Sequence, residues 1–230
     1  MALARLIIAL PTLSALRLQE VSWAKIGAMP CNSPFVKRGW LKLRHIAIVG
    51  SWKLLPGLSV LFGAADPKAL RSIVVDYSMS EAGVEADYET FLRFLAACSS
   101  LETITATRVR SVFSAFLHMH FVSELLVNLP PARCLDRFVV DLAHSPADPQ
   151  RVLQEIGDLS DIIEESPRCP RCLEIRVLNW SMWRDIAPEW HAKVAPQFSA
   201  AALARVTLEV VVLDRMLIYE GFPLGGWMWE

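Results

Sequence analysis

Four short stretches of the chain carry residue types that could do chemistry. "CPRC" at 169–172 pairs Cys169 with Cys172 at the spacing of a redox dithiol or of half a zinc site. A redox dithiol opens a helix, whose N-terminus lowers the pKa of the attacking thiol. Here a helical segment precedes the motif and Cys172 falls at the first, inward position of a strand pattern. A structural zinc site takes four ligands, and no second CxxC or His pair accompanies this one. The expectation is therefore a turn cysteine, Cys169, followed by a core cysteine, Cys172. "HMH" at 118–120 sets two imidazoles at i and i+2, nearly opposite sides of a helix. His120 and Glu124 share a face, but as a pair they read as one interior and one surface side chain. His144, Ser145 and Asp148 are triad residue types in one loop with no sign of a buried base or oxyanion donor. "GLSVLFG" at 57–63 has neither the lysine nor the glycine spacing of a phosphate loop. The chemistry-bearing residues thus point to no reaction and no cofactor.

The elements that would position them repeat. The pattern L-x-x-L-x-L, with other apolar residues allowed, occurs as "LSALRL" from Leu13, "LRHIAI" from Leu43, "LRSIVV" from Leu70 and "LETITA" from Leu101. It continues as "LDRFVV" from Leu135, "CLEIRV" from Cys172 and "LARVTL" from Leu203. A strand-like hexamer recurring about every 30 residues is the signature of a stacked-repeat solenoid. The intervals read as helices. Tyr88, Phe91, Leu92 and Leu95 fall at i, i+3, i+4 and i+7, with Cys98 extending the face. In 148–165, Asp148 can cap, Pro149 suits the first helical position, and Val152, Ile156, Leu159 and Ile163 form an apolar stripe whose flanking acids face water. Segments 112–129 and 186–200 are helical in composition, with Pro196 ending or kinking the second. The expected fold is α/β: a curved parallel sheet of about seven short strands with outer helices, one solenoid domain over residues 1–230.

Those hexamers, with the "SW" or "NW" endings at Ser22-Trp23, Ser51-Trp52 and Asn179-Trp180, resemble the long, irregular leucine-rich repeats behind F-box domains, particularly in fungal F-box-like proteins. The likeness runs through all seven hexamers. The asparagine that follows the last apolar position of a regular repeat is missing from most copies, so no continuous asparagine ladder is expected. The resemblance implies a non-catalytic protein-interaction module, similar to the substrate-recognition part of a ubiquitin ligase. The F-box helices that bind a Skp-type adaptor have no counterpart here; the chain enters within the helix of a first repeat and is read as truncated at its N-terminus. Partnership with such an adaptor is implied only if an F-box lies upstream. The alternatives are a structural or regulatory repeat protein without a ligase link, and a thiol or metal enzyme built on Cys169 and Cys172.

Residues that alternate with the apolar positions point to the concave surface. They assign partner contact to Arg17, His45, Val74, Asp76, Thr105, Arg137, Val139, Asp141, Glu174 and Arg176, with Val74 and Val139 at an exposed centre and charges around them. Trp23, Trp52 and Trp180 are expected to stack at the loop edge; Trp227 and Trp229 are expected either to cap the last repeat or to anchor a partner.

The totals agree with a folded interaction protein. Of 230 residues, 53% are hydrophobic and 20% charged, too apolar for disorder. A net charge of −1 gives no global drive toward nucleic acid or membrane, and no apolar run reaches the ~20 residues of a spanning helix. Charge is polarised along the chain: eight basic residues against Glu20 in the first 53, then seven acids against Arg151 in 141–165. The 5 cysteines form no framework and suit an intracellular, reducing compartment. "MALARLIIALPTLSA" reads as a helix leading into the first strand in preference to a secretory signal. The sequon at Asn179 is discounted because it ends a strand.

Overall fold

The computed structural model describes residues 12–19, 41–49, 58–76, 85–107, 119–129, 135–141, 149–179 and 190–214. Seven strands, β1 (Ala15–Gln19), β2 (His45–Val49), β3 (Ser72–Asp76), β4 (Thr103–Thr107), β5 (Arg137–Asp141), β6 (Cys172–Asn179) and β7 (Thr207–Asp214), form one sheet in chain order. Every neighbouring pair is parallel, so each return runs through a crossover, and helices fill the described crossovers: α1 (Leu58–Ala64), α2 (Glu85–Ala96), α3 (Met119–Val127), α4 (Pro149–Glu165) and α5 (Trp190–Val194). A 3-10 turn (Ala195–Gln197) holding Pro196 and a last short helix, α6 (Ala200–Leu203), lead into β7. Pro196 thus ends α5 as its missing N–H requires.

One face of the sheet is sealed. Ile46, Ile48, Ile73, Val75, Ile104, Ala106, Phe138, Val140, Leu173 and Ile175 alternate along the strands and share a continuous core with Phe62, Phe91, Leu95, Phe121, Leu125, Ile156, Leu159 and Ile163 from the helices. The β-branched strands "SIVVD" and "RFVVD" suit a pleated surface buried on that side. Phe62 stacks on Phe94 at 5.0 Å and meets Phe91 at 5.5 Å, joining α1 to α2; Tyr88 and Phe121, 6.3 Å apart, join α2 to α3. The Tyr88 hydroxyl donates to Glu124, so that carboxylate is spent on structure.

The expected helical faces are present over the described residues 88–98 and 149–165: Phe91, Leu95, Cys98, Ile156, Leu159 and Ile163 are all buried, while Asp148 and the side chain of Val152 lie outside the described residues. One detail is corrected. Glu155 is buried, unlike the other acids of α4, and so is Ser160 on the opposite flank. The helix lies between α3 on one side and the segment 190–203 on the other, so its covered arc is wider than the apolar stripe. Ser160 Oγ accepts the Ser199 N–H at 2.9 Å on that second side.

The last two hexamers are displaced. By register Cys172 matches Arg137 and Thr207, the first residues of their strands, so the sixth and seventh units begin at Pro170 and Arg205, two residues from where the pattern set them. The apolar alternation of "CLEIRVLN" runs through eight residues instead of five, which lets the hexamer slide. A slip of two keeps each side chain on its own face, so the face assignments survive. Cys172 does not: it stands on the opposite face from Leu173 and the core, half-buried, and its inward placement is overturned.

Candidate functional site

The face turned away from the described helices is written in three rows. The first crosses the strand starts as Ala15, His45, Ser72, Thr103, Arg137, Cys172 and Thr207; the second is Arg17, Ala47, Val74, Thr105, Val139, Glu174 and Glu209. The third contains Asp76, Thr107, Asp141, Arg176 and Val211. All ten residues assigned from sequence fall on this one face, because strand periodicity is two and the ladders are in register. The side chain of Asp76 lies outside the described residues.

The expected exposed apolar centre is not there. Val74 is 5% accessible and Val139 1%, and Ala47, Thr105, Thr107, Asp141 and Glu174 are buried with them. Strands about 4.8 Å apart set side chains of one row in contact, so each interior member of the second row is covered by neighbours on both sides. What remains open is the first row and the margins. Arg17 and Thr207 are exposed; His45, Ser72, Thr103, Arg137, Cys172, Arg176 and Glu209 are partly so.

Charge is concentrated where β5, β6 and β7 meet. The buried Glu174 carboxylate accepts Arg176 Nε at 2.5 Å through one oxygen and Arg137 Nη1 through the other, and the same Arg137 nitrogen donates to Glu209 at 2.8 Å. Burial alone would raise the Glu174 carboxyl; the hydrogen bonds from Arg176 and Arg137 overcome it and hold the group below the usual carboxylate range. The bond to Glu174 likewise holds the Arg137 guanidinium charged. Sequence reading selected Arg137, Glu174 and Arg176 as separate contacts and left out Glu209, which completes the set. The signal was available: Arg137, Glu174, Arg176 and Glu209 all alternate with apolar residues and so share one face of three consecutive strands.

His45 Nδ1 lies 2.9 Å from Ser72 Oγ, the reach of a base and a nucleophile. Burial and the nearby Arg44 charge lower the His45 pKa against the opposing pull of Glu102, favouring the neutral ring. Among the described residues the pair nevertheless has no oxyanion donor beside it. The Ser72 and Thr103 N–H groups are spent on the Arg44 and Arg71 carbonyls at 3.0 and 3.1 Å, so a developing oxyanion would meet no aligned backbone donor there.

The cysteine motif serves the helix before it. Cys169 Sγ donates to the Ile163 carbonyl at 3.3 Å, Arg205 Nη1 donates to the same carbonyl at 2.7 Å and to that of Glu164, and Arg205 Nη2 reaches the Ser166 carbonyl at 2.5 Å. These donors fill the orphan acceptors at the end of α4. Burial raises the Cys172 thiol, with Arg137 opposing and Glu209 adding to the rise, the reverse of what a nucleophilic thiolate needs. Among the described residues no three His, Cys, Asp or Glu side chains gather as a metal-binding group, and no helix is long and apolar enough to cross a membrane. His118, His144, Ser145, Asp148 and the five singled-out tryptophans, Trp23, Trp52, Trp180, Trp227 and Trp229, lie outside the described residues, as does the side chain of His120.

Comparison of the chain with family models, with curated proteins and with solved structures gives no significant match.

Proposed function

We propose that the chain is a leucine-rich-repeat-like solenoid that binds another protein through the sheet face opposite the helices, with no catalytic role of its own. The observation that carries this reading is the partly open first row, His45 to Thr207, set on rigid in-register strands and backed by a charge network that fixes two of its neighbours. Broad, shallow and chemically ordinary at each position, such a row suits many small contacts summed along a repeat surface. The substrate-recognition region of an F-box protein is the functional class the repeats resemble; contact with a Skp-type adaptor belongs to it only where an F-box precedes the repeats. Nucleic acid and membrane are not proposed as partners.

Affinity capture with the wild-type chain and with a folded Ser72→Arg/Thr103→Arg variant tests the reading. Both sites are partly exposed, so the variant should melt like the wild type. It should lose, by roughly tenfold or more, a protein that the wild type retains, as central contacts do when blocked. Equal retention by both would remove the first row from the binding surface.

A further inference from the structure

We propose that Arg137 and Thr103 form a seat for one carboxylate of the partner, a reading that rests on the protein-binding role of this face and narrows it to an acidic side chain or chain terminus. The two residues are register partners on β5 and β4, so their side chains stand side by side on the same face, on strands about 4.8 Å apart. Arg137 spends a single nitrogen within the molecule. Nη1 serves both Glu174 and Glu209, which leaves the Nε–H and both Nη2 hydrogens without a partner among the described residues. Thr103 Oγ1 has none either, and both side chains are open to water.

The unspent edge of a guanidinium is a planar pair of donors that matches the two oxygens of a carboxylate. A free arginine must be ordered before it can use that edge. Here the contacts to buried Glu174 and to Glu209 already place the head, which lowers the cost of ordering it for a partner. The Thr103 hydroxyl adds a third donor one strand away.

Charge selects the occupant. Arg137 and Arg176 are balanced by Glu174 and Glu209, so a doubly charged phosphate would meet two carboxylates with no surplus positive charge to hold it. A carboxylate brings half that charge and takes the Nε–Nη2 edge, leaving Nη1 to Glu174 and Glu209.

The test is a titration of the full chain followed by NMR, reading the Arg137 Nε–H and the Thr103 backbone amide. Sodium acetate and N-acetylglutamate amide are the probes, sodium chloride at equal ionic strength the reference, and inorganic phosphate the competing class. A saturable shift of both signals with acetate and N-acetylglutamate amide, beyond that with chloride, is expected. In Arg137→Lys, which keeps a cation for Glu174 but lacks the planar fork, the Thr103 response should weaken about tenfold. Thr103→Val, read at Arg137 Nε–H, should weaken it less and leave the fold intact. No response beyond chloride, or a Thr103 response unchanged in Arg137→Lys, overturns the seat; tighter saturation by phosphate overturns the carboxylate assignment. The capture experiment fails separately: loss of the seat with first-row-dependent capture intact discards this inference alone, and the converse discards the protein-binding reading while the seat stands.

Discussion

Replacing Glu174 with glutamine removes one charge from the middle of the outer face and leaves its volume unchanged. The three ion contacts around it differ in exposure, and exposure sets their weight. Arg137 and Glu209 are 41% and 44% accessible at the side chain, so contacts that depend on them contribute about 0–1 kcal/mol each. Glu174 and Arg176, at 5% and 14%, have both left water. Removing one partner of such a pair costs about 3–5 kcal/mol because the other charge stays buried. The amide still accepts one hydrogen bond, which brings the expected loss to about 2–4 kcal/mol. For a chain of this size each kcal/mol moves the melting midpoint by about 2–4 °C, so calorimetry should show a fall of about 5–15 °C, and urea unfolding a matching drop in midpoint. Arg137→Met should cost about 1 kcal/mol or less by the same exposure argument. The acid limb supplies an independent check. Glu174 is more acidic folded than unfolded, so its contribution is complete above the unfolded value near 4.3 and is lost as pH falls through the lower folded value. The gap between wild type and Glu174→Gln should therefore narrow below about pH 4.3. A variant within 1 kcal/mol of wild type, a loss from Arg137→Met as large as that from Glu174→Gln, or a gap that does not narrow in acid would refute the reasoning.

Ile73→Asp and Val139→Asp place a charge at positions 0% and 1% accessible on opposite faces of the sheet, and both should lose several kcal/mol, roughly the whole margin of a domain, in urea melts; a wild-type midpoint for Val139→Asp would return that residue to the open surface. Thr107 Oγ1 is buried without a hydrogen-bond partner among the described residues, so Thr107→Val should be neutral or stabilising by up to about 1–2 kcal/mol, whereas a loss would mean the hydroxyl is bonded in solution. The Cys98 thiol is buried and pushed up to about 12, with its proton donated to the Phe94 carbonyl at 3.2 Å; at pH 8 iodoacetamide should modify it only as fast as the domain unfolds, and rapid labelling of native protein would contradict its placement.

The strands were legible because two signals coincided: inward apolar residues at period two and a hexamer recurring every 27 to 37 residues from Leu13 through Leu203. Parity made the face assignments robust. At Cys172 and Leu203 the pattern slid by two residues, yet Glu174, Arg176 and Glu209 stayed on the correct face. Burial on that face was not legible. A hexamer states which way Val139 points and nothing about how tall its neighbours on β4 and β6 stand, so the sequence pattern alone predicts an open centre at Val74 and Val139. The buried state of Glu155 escaped for the same reason, since it depends on two neighbouring elements and not on the helix that carries it. The Glu174 network needed the register: Arg137 is 37 residues away in sequence and adjacent in space.

Among the described residues the ladder between β6 and β7 joins eight residue pairs, against four between β2 and β3 and five at the other interfaces. In a sheet whose strands pair only with sequence neighbours, cooperativity passes along a single line, and each interface is a link that can fail separately. The described links are unequal, so the sheet should have a stiff end and a soft end. Opening should begin at β1 and advance toward β3, while the slowest-exchanging amides stay at β6 and β7, holding Glu174 and Glu209 in place after the far end has frayed. The charge network sits on the part of the protein that is last to come apart.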